Sequence, residues 1–155
     1  MRDIQIPELA FSTWVPWAER SSRANRQYPG IYLIAITSED LNGKIAEWSQ
    51  VSYIGMTNSQ GGLQSRLQQF DNAIKGNNGH SGGNKAFQIW KHYSTWASKV
   101  FVAVMPIECK PWRLTPDDLI NMGLVSYLEY EAFYQYLQYC NGEKIERSKP
   151  FLNTR

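Results

Sequence analysis

Five side chains in this sequence have the chemistry to move protons, bind an anion and hold a cation. They are the phenols of Tyr32 and Tyr53, the guanidinium of Arg66, the imidazole of His80 and the carboxylate of Glu129. An imidazole titrates near neutrality and suits proton transfer. A guanidinium presents a planar fork of donors that matches phosphate oxygens. A phenol, with an ordinary pKa of about 10, is a poor base at neutral pH unless a nearby cation lowers it. Glu129 stands in the middle of an apolar helical stripe, four residues after Val125 and four before Phe133. A carboxylate there is costly unless it is paired or binds a cation. Its oxygens suit Mg²⁺ or Mn²⁺, and an ion pair with Arg66 is the structural alternative.

The elements that must position these groups are legible in the pattern. Gly30 to Ile36 is an apolar, β-branched run after a Pro-Gly breaker, and Val51 to Met56 is a second. Both read as strands, running on toward a turn at Asn42-Gly43, and a connection of this kind makes them antiparallel. Tyr32 and Tyr53 then lie near one another on neighbouring strands. Gly61-Gly62 releases the chain into a helix on which Leu63, Leu67 and Phe70 share one face and Arg66 lies on its shoulder. His80 falls in a polar, glycine-rich loop, and helical character resumes at Lys85, with Ala86, Ile89, Trp90 and Tyr93 as the stripe. Lys99 to Met105 reads as the third strand, ended by Pro106.

Thr115-Pro116-Asp117-Asp118 has the form of a helix start: a capping hydroxyl, a first-turn proline and acids against the positive end. That helix runs to about Cys140, where Asn141-Gly142 stops it. Its buried stripe is Val125, Leu128, Ala132, Phe133, Tyr136 and Leu137. Glu131 shares a wetter face with Tyr127, Tyr134 and Gln138. At the N-terminus, Trp14-Val15-Pro16-Trp17 reads as an apolar plug. Arg20, Arg23 and Arg26 come at intervals of three and would share one face of a helical turn, either as a solvated surface or as a phosphate-contacting arm.

The bulk composition bounds the rest. At 155 residues, 43% hydrophobic and 14% aromatic, the chain is a folded domain large enough to bury a core. Its formal charge of +2 permits a nucleic-acid partner without arguing for one. Cys109 and Cys140 have no metal-ligand spacing and suit a reducing, cytoplasmic setting. No window approaches the roughly 18 apolar residues of a membrane helix. The polar stretch after Gly55 lacks a phosphate-loop lysine, which excludes a Walker-type nucleotide site. The expected architecture is α/β of the α+β type: a three-stranded, mainly antiparallel sheet flanked by helices, with residues 1–28 as an N-terminal arm and 29–155 as the domain.

Gly30-Ile31-Tyr32 and Tyr53-Ile54-Gly55 match the two tripeptides that name the GIY-YIG nuclease family, in order and on strands, and the chain resembles that family from about Gly30 to Asn153. Arg66 stands where the family carries its helix arginine, and His80 where some members carry a histidine after that helix. A glutamate on a later helix is the family's single metal ligand; Glu129 fits it, with Glu131 as the alternative. Asn153 in Phe151-Leu152-Asn153 resembles the terminal asparagine. Phe70 replaces the His or Tyr that members usually place four residues after the arginine, and His80 is a candidate to supply the missing group.

The resemblance implies a DNA endonuclease using Mg²⁺ or Mn²⁺. Tyr32 would be the general base, Tyr53 would position water or phosphate, and Arg66 would hold the phosphate oxygens. His80 would share the proton work and Glu129 hold the metal, supported by Gly30, Gly55 and Asn153. Arg20, Arg23, Arg26 and Lys85 are candidate DNA contacts, and a homodimer is compatible with restriction-type members. A catalytically silent DNA-binding module on the same scaffold is the alternative, and a protein-interaction domain built on the aromatic excess is a second.

Overall fold

A computed structural model describes residues 3–144 and 150–153. The described chain forms a four-stranded antiparallel sheet in the order β1-β4-β2-β3, with β1 Val15–Pro16, β2 Gly30–Ile36, β3 Tyr53–Thr57 and β4 Val100–Pro106. Helices α1 (Gly62–Ile74), α2 (Ser81–Trp90) and α3 (Pro116–Gly142) complete it. Alternation along the strands sorts their side chains into two layers. Tyr32, Ile34, Tyr53, Val102 and Val104 pack on one face, together with Leu63, Leu67 and Phe70 of α1. Leu33, Ala35, Ile54 and Ala103 pack on the other with Ala132 and Tyr136 of α3. Central strands β2 and β4 are therefore apolar on both sides and read as continuous hydrophobic runs.

The sheet has four strands rather than the expected three. Val15–Pro16 pairs with the outer edge of β4, with Val15 opposite Val102 and Pro16 opposite Phe101. A two-residue strand has no period to read, and proline is tolerated because β1 is an edge. The flanking Trp14 and Trp17 are buried, so the apolar plug is a continuation of the sheet. The β2–β3 connection also departs from the expected extended hairpin. The strands stop at Ile36 and Tyr53, and the intervening chain folds back on the N-terminal segment. There Gly43 N–H donates to the Trp14 carbonyl, and Trp14 N–H donates to that of Lys44.

Helix α2 begins at Ser81, four residues before the expected Lys85. His80 is its cap: the Nδ1 atom accepts from Gly83 N–H at 3.2 Å. Two glycines inside the first turn hid this helix from a propensity reading. Of its expected stripe only Ala86 is buried, while Ile89 is exposed and Tyr93 lies beyond the helix end. On α3, the Thr115 hydroxyl accepts from Asp118 N–H as expected of a cap. Val125, Leu128, Ala132 and Tyr136 are buried; Phe133 and Leu137 are only partly so. No described helix is long and apolar enough to cross a membrane.

Candidate active site

The pairing of β2 with β3 sets Tyr32 opposite Gly55 and Ile34 opposite Tyr53. Tyr32 and Tyr53 consequently lean toward each other on one face, ring centroids 5.9 Å apart. Gly55 lies beneath both: a Cβ there would come 2.3 Å from Tyr32 Cζ and 2.6 Å from Tyr53 Cε1. Gly30 is required by the backbone instead, since its Cβ would meet the Met105 carbonyl oxygen at 2.3 Å. The two tripeptides are thus one packing unit, in which glycine leaves the space that the phenols fill.

His80, expected in a polar, glycine-rich loop, is buried at 2% exposure against Tyr53 and Phe70, and its Nε2 lies 2.7 Å from Tyr32 Oη. Nδ1 accepts from Gly83, so a neutral ring carries its proton on Nε2 and donates to the Tyr32 oxygen. Burial, aided by the Arg66 charge, pushes the His80 pKa down to about 3. The ring is therefore neutral at physiological pH, which makes it a hydrogen-bond donor and not a proton acceptor toward Tyr32. Phe70, where a proton-relay group was absent from the sequence pattern, instead packs edge-on against His80, centroids 5.0 Å apart.

Arg66 is half-exposed and donates through Nη1 to Gln69 Oε1 at 2.6 Å. Its charge acts on both phenols without prevailing. Burial holds Tyr32 well above the ordinary tyrosine value, Tyr53 adds to the rise, and Arg66 opposes it only in part. Burial also raises Tyr53 against the pull of Arg66, and the Glu129 charge raises it further. Arg66 pulls both phenols down, but desolvation of a phenolate outweighs one half-exposed guanidinium.

Glu129 is 8% exposed on α3 and close enough to Tyr53 for its charge to be felt there. Glu131 is half-buried elsewhere on the helix, accepting from Gln135 at 3.2 Å, in a cleft with Ile6 and Tyr127. The described residues contain no group of three or more His, Cys, Asp or Glu side chains placed to share a metal. A single carboxylate nevertheless fits a magnesium-type ion, which keeps several waters and takes remaining ligands from a substrate phosphate.

The supporting and nucleic-acid candidates divide. Asn153 Oδ1 accepts from Ile54 N–H at 2.9 Å and its Nδ2 donates to the Ile54 carbonyl at 2.8 Å, so the asparagine closes the free edge of β3. Lys85 donates to the Phe151 carbonyl and is committed to the same C-terminal segment. No single helical turn carries the three arginines, because the 3₁₀ turn Trp17–Ser22 ends before Arg23. Arg20 stacks on Trp17 and pairs with Asp71, Arg23 is half-buried, and Arg26 bonds the Arg23 carbonyl. Arg20 and Arg26 line a cleft beside α1.

Sequence reasoning passed over Asp71, Gln69, Gly82 and Gly83. Asp71 is buried and accepts from Trp17 Nε1 at 2.9 Å and Lys75 Nζ at 2.8 Å, tying the N-terminal arm to α1. Gly82 packs under the Tyr53 ring, and Gly83 fixes the His80 tautomer. A capping residue followed by Gly-Gly was the available signal, since helix starts accept glycine more readily than helix interiors do. Comparison with protein-family models, curated proteins and solved structures returned no match to this chain.

Proposed function

We propose that this protein is a divalent-metal-dependent DNA endonuclease of the GIY-YIG type. The observation that carries the reading is the convergence of two tilted, adjacent phenols, a neutral histidine, a guanidinium and a buried carboxylate around the β2–β3 pair. Hydrolysis there forms a bond from a water oxygen to phosphorus and breaks the bond to the 3′-oxygen, which takes a proton from solvent water. Glu129 would hold Mg²⁺ or Mn²⁺, which when bound supplies Lewis-acid stabilisation of charge on the phosphate and the leaving oxygen.

Tyr32 acts as base in its phenolate form, having first lost its own proton to solvent, and takes the attacking water's proton at Oη to become the neutral phenol. As a free phenol its raised pKa makes it a poor base, and the donor hydrogen bond from His80 Nε2–H stabilises its phenolate. Arg66 binds the non-bridging phosphate oxygens, for which its half-exposed position leaves access. Tyr53 orients water or phosphate through its hydroxyl. Histidine here performs, from the cap of α2, the support of Tyr32 that Phe70 cannot give.

The test is cleavage of supercoiled plasmid with Mg²⁺ or Mn²⁺. The wild type cuts, and Tyr32→Phe and Glu129→Ala each lose at least about a hundredfold in rate, the lower end for a general base. Wild type that cuts no duplex, branched or single-stranded DNA sinks the enzyme reading. Metal-independent, salt-sensitive DNA binding by such a protein favours a binding module.

A further inference from the structure

Helix α1 turns an unusual surface to solvent. Gln64, Ser65, Gln68, Gln69 and Asn72 form it, with no glutamate or lysine among them. Gln64, Gln68 and Asn72 fall four residues apart and so make one row along the helix. Across from this row stand Arg20 and Arg26, and between the two walls lies an open cleft of about 800 Å³. No carboxylate lines it, although Asp71, buried on the same helix beneath the row, accepts from Trp17 and Lys75 and pairs with Arg20 at 3.5 Å. Gln69 lines the cleft and also accepts from Arg66 Nη1, so one side chain links the cleft to the site described above.

Amide side chains carry a donor and an acceptor side by side, which pairs bidentately with N6–H and N7 of adenine in the DNA major groove. In the free protein Gln68 Nε2 donates to Asn72 Oδ1 at 3.0 Å and reaches Asp71 Oδ2 at 3.5 Å, bonds that can be exchanged for base edges. Arg26, with Arg20 whose charge is shared with Asp71, gives the cleft a cationic wall that suits a phosphate strand. A 13-residue helix is about 20 Å long and enters a B-form major groove, whereas the deep, narrow groove of duplex RNA excludes it.

We propose that α1 is a recognition helix: its Gln64–Gln68–Asn72 row reads adenine-containing sequence in duplex DNA while Arg20 and Arg26 hold the strand lying in the cleft. The proposal rests on the nuclease reading, because the cleft presents DNA to that site. The test is selection from a random 30-base-pair DNA pool in EDTA, which permits binding without cutting, followed by sequencing of the bound fraction. Wild type enriches a motif containing adenine. Gln64→Ala and Gln68→Ala each lose about tenfold of preference at one or two positions, the range for a lost bidentate pair. Arg26→Ala weakens every sequence alike, and Gln138→Ala on α3 leaves the motif intact. These substitutions are at solvent-exposed or half-exposed positions, and thermal melts check that the fold survives. A motif unchanged by both glutamine substitutions, no enrichment at all, or tighter binding to duplex RNA overturns the proposal. Plasmid cleavage by the same preparation separates the two readings. Cleavage without a glutamine-dependent motif removes the recognition helix alone; a glutamine-dependent motif without cleavage removes the enzyme alone.

Discussion

Tyr32 is buried completely, bonded to His80 and denied full relief by Arg66, so its phenolate is scarce in the free protein at pH 7. A base with a raised pKa makes activity climb with pH. The expected profile of log kcat/KM rises with a slope near one through at least about pH 9, and Tyr32→Phe flattens it. His80→Ala removes the donor to that oxygen and costs roughly 10- to 100-fold in rate, matching the value of a hydrogen bond to a charged group. His80 also makes stability depend on pH. Its folded pKa of about 3 lies below the ordinary 6.5, so between these values the unfolded chain binds the extra proton. Stability therefore falls as pH drops from 6.5 toward 3, and His80→Asn reduces that slope in thermal melts at pH 7 and pH 5. A slope identical in the variant would show that His80 titrates normally.

Two elements hold the site from outside it. The C-terminal segment closes the β3 edge, with Leu152 N–H on the Ser52 carbonyl and Asn153 on both polar groups of Ile54. Asn153→Ala leaves a buried donor and acceptor unmet beside Tyr53, a loss of about 2–3 kcal/mol. For a chain of this size the melting temperature falls by roughly 5–10 °C. The second tie is Asp71. Burial opposes its charge, but hydrogen bonds from Lys75 and Trp17, with Arg20 nearby, win and lower its pKa. A depressed carboxylate stabilises the fold above its ordinary value of 3.8, and that contribution is lost as pH falls through the lower folded value. Asp71→Asn is expected to lower stability at pH 7 and leave less to lose on acidification, read from melts at pH 7 and pH 3.

At the scale of the molecule, the proposed nuclease has one Glu129 and one Tyr32 per chain, hence one site for one strand. On that reading a monomer is expected to nick supercoiled plasmid, and linearisation in a single encounter requires a second copy. If the protein works as a pair, the linear product grows steeply with protein concentration and sedimentation shows a dimer on DNA. Nicking alone at every concentration removes the homodimer. The net charge of +2 is small, so binding depends on where the arginines stand. Phosphate contacts by Arg20, Arg26 and Arg66 give a slope of log affinity against log salt of about −2.7.

The sequence by itself determined the three long strands, the capped C-terminal helix, the apolar face of α1 and the phase that puts Glu129 on a buried stripe. Each follows from the alternation or helical period of residues within a few positions of one another. The neighbourhood of Tyr32 and Tyr53 followed too, because an antiparallel pair constrains it. Only the tertiary structure decided that His80 is buried, since its partner Tyr32 is 48 residues away. The same holds for Asn153 and its partner Ile54, 99 residues apart. It also decided that Val15–Pro16 is a strand, that Lys85 bonds the C-terminal segment, and that Arg20 and Arg26 meet across a cleft and not on one helical turn. Periodicity states which way a side chain faces. It carries no information about which distant backbone group, ring or charge will stand there, because those partners are chosen by the packing of whole elements.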